Sequence, residues 1–160
     1  SSGSDFPWSD FQDLLLITYG RSTATGTNPD AFHVRLNNTT SVYRGQQFFW
    51  DKVNSNVGVA RGTESGARIG YFPRAGHTTN TFGSAVARFS DINDTGKWTT
   101  VHADGGFDDN GTVGGTGAVV IYNTTWENTA ALTSIVIVDG GYGNLLADTR
   151  FDLYGLKAAA

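Results

Sequence analysis

The chain is divided into short runs rich in β-branched and aromatic residues, and each run is bounded by a cluster of Gly, Asn, Asp or Thr. Residues 13–20 (Asp-Leu-Leu-Leu-Ile-Thr-Tyr-Gly) form the first run, and residues 150–156 form the last. Short runs at this spacing are typical of β-sandwiches and barrels, and no stretch longer than about two turns reads as a helix. We therefore expect an all-β, antiparallel β-sandwich with about eight or nine strands, which is the strand count of a jelly roll.

The composition narrows the classes of protein further. Glycine makes up 21 of 160 residues, and Asp, Glu, Lys and Arg together make up 16%. A disordered chain has high charge and few aromatic residues, and collagen has glycine at every third position, so both classes are excluded. The formal net charge is −4, and no cluster of Lys and Arg provides the basic face that a nucleic-acid partner requires. No apolar run approaches the roughly 20 residues that cross a bilayer, so we expect no membrane insertion.

The length is that of one domain with two short ends. We expect residues 1–12 to be an N-terminal arm or linker, because they precede the first β-rich run. Residues 13–157 then form the jelly-roll-like β-sandwich domain. Residues 158–160 (Ala-Ala-Ala) are interpreted as a cloning scar.

Three segments carry specific structural expectations. Residues 32–37 alternate between apolar and polar types, which predicts that the apolar residues face inward and that His33 and Arg35 face outward. Residues 13–20 are apolar on both faces, as in a strand that is covered on both sides. Residues 104–117 are rich in Asp, Asn and Gly, which predicts a long polar loop.

Aromatic residues near strand ends and the polar loop are the candidates for ligand contact. An exposed aromatic ring offers an apolar platform on which a sugar ring can stack. The same residue types also fill sandwich cores and subunit interfaces, and that alternative stays open for each of them. The candidate binding residues are Trp50, Tyr71, Phe72, Trp98, Asp104, Phe107, Asp108, Asp109 and Asn110.

No residue pattern indicates catalysis. The histidines His33, His77 and His102 have no neighbour at metal-ligand spacing, and neither His-Glu-x-x-His nor Gly-x-Ser-x-Gly occurs. Two glutamates and turn-placed aspartates are a weak basis for the carboxylate pair of a glycoside hydrolase. The Asp and Asn residues of 104–117 could offer oxygen ligands to Ca²⁺, but turns favour the same residues. We therefore expect no enzyme, no cofactor and no metal, with Ca²⁺ as the minor alternative.

The end of the chain carries the most specific motif. Residues 149–157, Thr-Arg-Phe-Asp-Leu-Tyr-Gly-Leu-Lys, resemble the closing Ser-Arg-Phe-x-Leu-Tyr-Gly-Ile/Leu motif of bacteriophage virion appendage domains. Three further segments resemble the family in the same order: residues 19–22 (Tyr-Gly-Arg-Ser), residues 34–37 (Val-Arg-Leu-Asn) with Tyr43 after the turn, and residues 126–135 (Trp-Glu-Asn-Thr-Ala-Ala-Leu-Thr-Ser-Ile). The chain departs from the pattern at Ile92, where an aromatic residue is usual, and at Thr149, where Ser is usual.

The resemblance implies a jelly-roll C-terminal or receptor-binding domain of a tail-fibre or related virion appendage protein. Such a domain is a homotrimer on the virion surface, and its partners are a host-surface glycan or protein and other virion proteins. The motifs build the fold, so they transfer no binding residues. Two alternatives stay open: a capsid-decorating or head-fibre trimer without a receptor role, and a carbohydrate-binding module or hydrolase-associated domain.

Overall fold

The chain forms ten β-strands and one short helical turn in the part that the structure describes. The structure is a computed structural model and describes residues 6–26, 28–51, 55–109, 117–140 and 143–158, with the backbone alone at residues 51 and 55–63. The strands are β1 (Asp13–Gly20), β2 (Asp30–Leu36), β3 (Tyr43–Asp51), β4 (Ser55–Glu64), β5 (Ala67–Phe72), β6 (Gly83–Ser90), β7 (Thr99–Phe107), β8 (Ala118–Trp126), β9 (Ile135–Val138) and β10 (Arg150–Leu156).

The strands are arranged in two antiparallel sheets that face each other. The large sheet has seven strands in the order β10-β1-β6-β7-β8-β3-β4, and the small sheet has three in the order β5-β2-β9. Strand β5 of the small sheet packs over β6, β7 and β8 of the large one. The expected all-β, antiparallel β-sandwich is therefore confirmed. The strand count is ten because the glycine-rich middle of the chain forms two full strands, β4 and β5, on either side of a tight bend.

The core lies between the two sheets, and strict alternation places side chains there. Every second residue of β6 is buried, from Gly83 through Ala85 and Ala87 to Phe89. The small sheet meets these positions with its own apolar residues, and the rings of Phe32 and Phe72 lie 4.1 Å apart between their centroids. Period-two burial on the large sheet is what the sequence runs predict, because successive strand side chains point to opposite faces.

Tyr43, after the β2 turn, joins two of the segments named above, residues 34–37 and residues 126–135. The Tyr43 hydroxyl accepts a hydrogen bond from the Leu36 backbone N–H at 2.7 Å and contacts the Thr39 hydroxyl at 2.9 Å. The Trp126 indole N–H donates to the same Thr39 hydroxyl at 3.0 Å. Both Tyr43 and Trp126 are fully buried. The two segments therefore contribute to one buried network of hydrogen bonds.

Three local expectations are corrected by the structure. His33 was expected to face outward but is buried, because a register shift between Phe32 and His33 in the β2–β5 pairing interrupts the alternation. Residues 104–117 were expected to be a loop throughout, but β7 continues to Phe107 through cross-strand pairing with β6 and β8. Residues 13–20 were expected to be covered on both sides, whereas Ile17 and Tyr19 on the outer side of β1 are exposed.

Candidate functional site

The outer face of the large sheet, which is the side turned away from the core, carries an unusual set of exposed apolar side chains. Cross-strand register places them in two adjacent rows. One row contains Phe48, Ile121, Asp104, Val86, Ile17 and Asp152, and the next contains Trp50, Val119, Gly106, Ser84, Tyr19 and Arg150. Six strands, from β3 to β10, therefore contribute to one continuous surface, which we call the outer face.

The charged side chains of the outer face are paired within the described part of the chain. The ion pairs are Arg44 with Glu127, Arg88 with Asp13, and Arg150 with Asp152, and the His102 Nε2 atom lies 3.5 Å from an Asp104 carboxylate oxygen. Lysine does not occur on these six strands. The solvent-exposed face of an antiparallel sheet usually carries polar residues. A surface with aromatic and aliphatic residues and few charges has the composition of a protein interface.

The two rows cover about half the area of a standard subunit contact. Six strands lie about 4.8 Å apart, and two rows span about 14 Å along each strand, which gives roughly 400 Å². Standard interfaces bury about 800 Å² on each partner. Seven large apolar side chains in these rows are between 38% and 52% exposed. Covering them would stabilise a complex by roughly 7 kcal/mol per subunit before the costs of association.

A shallow depression interrupts the outer face where β7 carries two glycines. Gly105 and Gly106 lie between Ser84 and Val86 of β6 on one side and Val119 of β8 on the other. The depression has a volume of about 420 Å³. A β-carbon at Gly106 would overlap the backbone carbonyl of Ala118, so the close approach of β7 and β8 requires glycine there.

A buried network of polar residues lies at the end of the sandwich where β1 ends and β6 begins. The Arg21 guanidinium donates hydrogen bonds to four backbone carbonyls in the turn of residues 74–81. Its shortest contact is 2.7 Å, to the Thr78 carbonyl. The Thr78 backbone N–H in turn donates to the Asp109 carboxylate at 2.9 Å. We call these residues, together with His77, the Arg21 network.

A buried carboxylate extends this network toward β2. Asp30 is fully buried and accepts a hydrogen bond from the Ser22 hydroxyl at 2.7 Å, while Arg74 lies 3.6 Å from its other oxygen. Burial raises the pKa of Asp30, and the contacts with Ser22 and Arg74 oppose that rise. Arg21 and Ser22 belong to the family-like Tyr-Gly-Arg-Ser segment. The segment therefore has a structural role, since it organises the turn and the start of β2.

The structure distributes the predicted binding residues over separate places. Trp50 and Asp104 lie on the outer face, where Trp50 is opposite Val119 and Asp104 is opposite Ile121 and Val86. An Asp104 carboxylate oxygen lies 3.5 Å from the His102 Nε2 atom. Trp98 is 53% exposed and precedes β7, at the end of that strand remote from Phe107.

Five other predicted residues lie in or beside the Arg21 network and the core. Phe107 is buried against His77, Asp109 is buried and bonded to Thr78, and Asp108 beside them is exposed. Phe72 is fully buried and so presents no face to a ligand. Tyr71 is half-buried, contacts the Phe49 ring edge-on and accepts a hydrogen bond from Arg68 at 3.3 Å. Asn110 lies outside the described residues.

The described part of the chain has neither a cluster of metal-binding side chains nor a membrane-spanning helix. Those residues contain no group of three or more His, Cys, Asp or Glu placed to hold a metal ion. Over the same ranges, no helix is long and apolar enough to cross a membrane.

Sequence reasoning missed the aliphatic part of the outer face and the role of His77. The aliphatic part of the outer face could have been predicted, because residues 13–20 are apolar on both faces and each apolar face needs a packing partner. The role of His77 could not, because Arg21, His77 and Asp109 are far apart in the sequence and share no spacing rule. Comparison with known proteins gives no further assignment: no protein family, curated protein or solved structure matches this chain.

Proposed function

We propose that the chain is a non-enzymatic domain of a bacteriophage virion appendage, which assembles as a homotrimer and binds a receptor on the host surface. A glycan is the favoured receptor class, and the virion surface is the proposed location. The proposal joins the family-like motifs to one observation in the structure. That observation is the outer face, where seven exposed large apolar side chains lie together in two rows across six strands.

The outer face supports assembly because leaving it in water is unfavourable. A strand that is apolar on both sides, such as β1, is usually covered on both sides. The core covers one side of β1, and Ile17 and Tyr19 remain exposed on the other. Neighbouring copies of the chain would cover this side, and three-fold closure would leave no further apolar face open to unlimited growth.

Receptor binding would then fall to surfaces that the assembly leaves free. Three copies hold three equivalent sites close together, and weak sites presented in this way gain affinity by avidity. The exposed Asp108 is the first position to test, because a hydrogen bond from Thr78 holds the neighbouring Asp109 in the Arg21 network.

Two measurements test the proposal separately. Light scattering of the purified protein at micromolar concentration is expected to give the mass of three chains, and a monomer would overturn the assembly. Fluorescently labelled protein is expected to bind a subset of bacterial strains in a panel, and free surface polysaccharide from those strains is expected to compete. Failure to bind any strain whose phage carries this chain would overturn the receptor role. Incubation with the polysaccharide is expected to release no new reducing ends.

A structural part without a receptor role is the second candidate. The specific observation that favours it is the chemistry of the outer face, where four of the seven exposed large apolar residues are aliphatic: Ile17, Val86, Val119 and Ile121. Aliphatic side chains pack against protein, whereas sugar rings stack on aromatic faces. A trimer that binds no cells but binds purified capsid or tail proteins would favour this candidate.

A further inference from the structure

His77 occupies a position in the Arg21 network that depends on the protonation of its ring. The side chain is 5% exposed. Its Nδ1 accepts a hydrogen bond from the Arg74 backbone N–H at 3.0 Å, so this nitrogen carries no proton. The ring also packs edge-on against Phe107, with centroids 5.2 Å apart and an interplanar angle of 88°. The geometry therefore requires the neutral imidazole.

The groups around His77 reinforce this preference. Burial is the largest cause that lowers the pKa of His77 from its usual value of 6.5, and the positive charges of Arg21 and Arg74 lower it further. The Asp109 carboxylate opposes the shift without reversing it. Phe107, which packs on the ring, brings no charge.

Two segments meet at His77. The first is the turn of residues 74–81, whose carbonyls are held by Arg21. The second is the end of β7 together with Asp108 and Asp109. The Thr78–Asp109 hydrogen bond and the His77–Phe107 contact join the two. A change at His77 therefore acts on both at once.

We propose that His77 is a pH-sensitive latch between the turn of residues 74–81 and residues 107–109. A proton from solvent binds Nδ1, the Arg74 backbone N–H loses its acceptor, and the new imidazolium lies close to two guanidinium groups. The turn then separates from residues 107–109. The biological meaning of this latch rests on the proposed receptor role of the exposed Asp108, but the opening itself does not.

The direction of the pH effect follows from linkage. The opened state binds its proton with the usual pKa of 6.5, and the closed state binds it less readily. The opened state therefore holds more protons between these two values, and the closed state loses stability as the pH falls below about 6.5. Below the lowered pKa of the closed state, the effect levels off.

Hydrogen–deuterium exchange at pH 7.5 and pH 5.5, corrected for the intrinsic rates, tests the latch. In the wild-type protein we expect amides of residues 74–81 and 104–109 to exchange at least about threefold faster at pH 5.5, an increase that a modest shift of a buried His supports. His77→Asn keeps an acceptor near the Nδ1 position but cannot titrate, and we expect no such increase. His102→Asn, at an exposed position on β7, is the matched control and should behave as the wild type.

Equal pH responses in the wild type and His77→Asn would overturn the latch. If His77→Asn does not fold, NMR titration of the wild-type His77 ring decides, and a pKa at or above 6.5 overturns the proposal. Cell binding at the two pH values separates the latch from the proposed function. Opening without binding at either pH refutes the receptor role alone, and pH-independent binding without opening refutes the latch alone.

Discussion

Replacing Val119 by Asp is expected to dissociate the proposed trimer while leaving the subunit folded. Val119 is 52% exposed on the outer face, between Trp50 and the depression at Gly106. Complete burial of a valine is worth roughly 1.5 kcal/mol, so covering its exposed half contributes about 0.8 kcal/mol at each site. A carboxylate placed in the same interface adds a desolvation cost of several kcal/mol.

Together these effects predict a loss of at least about 3 kcal/mol per site, or more than a hundredfold in the association constant. The fold itself loses only about 1 kcal/mol, because the residue is exposed and the main cost is the lower strand propensity of Asp. The assay is light scattering over a concentration series, with circular dichroism to confirm the fold.

Val136→Asp is the matched control for this prediction. Val136 is 36% exposed on β9, in the small sheet, and the substitution is chemically identical. We expect this variant to remain a trimer. A Val119→Asp protein that stays trimeric at the lowest concentration, or a Val136→Asp protein that dissociates equally, would refute the assignment of the interface to the outer face.

Two further substitutions test the packing of the sandwich. Tyr43→Phe should lower the free energy of unfolding by about 1–3 kcal/mol, because it leaves the buried Leu36 N–H without its acceptor, whereas Tyr154→Phe at an exposed position should have almost no effect. Chemical denaturation measures both, and similar losses in the two variants would contradict the reasoning. Gly155→Val should also destabilise the fold by about 1–3 kcal/mol, since a β-carbon there would overlap the Phe11 ring. A melting temperature equal to that of the wild type would show that the ring moves aside freely.

The sequence predicts the strands best where one face is buried and the period is two. The bounds of β1 and β10 agree with the first and last β-rich runs, because alternation against a core leaves a clear pattern. The prediction is wrong at His33, where a register shift turns the side chain inward. It is also wrong at the end of β7, where the sequence Gly105-Gly106 is typical of a loop but forms part of the strand. In both places cross-strand partners decide the structure, and local composition does not show them.

The candidate site was less predictable than the fold for a related reason. Trp50 and Asp104 were identified as surface residues from their type and position, but their common surface is created by the register of six strands. Trp98 and Phe107 were grouped with them, although the length of β7 separates these two residues. The Arg21 network depends entirely on contacts between distant segments, so no local pattern could have predicted it.

The pairing of β1 with β10 has a mechanical consequence. The two strands are antiparallel, and Asp13 at the start of one is opposite Leu156 at the end of the other. The chain therefore enters and leaves the sandwich at the same corner. A force applied through residues 12 and 157 would unzip this strand pair from one end, so that its hydrogen bonds break one after another. It would not shear the pair, which would load all the hydrogen bonds at once. A domain tethered through both neighbouring segments would resist force poorly, whereas one tethered through a single end would carry no load across this pair.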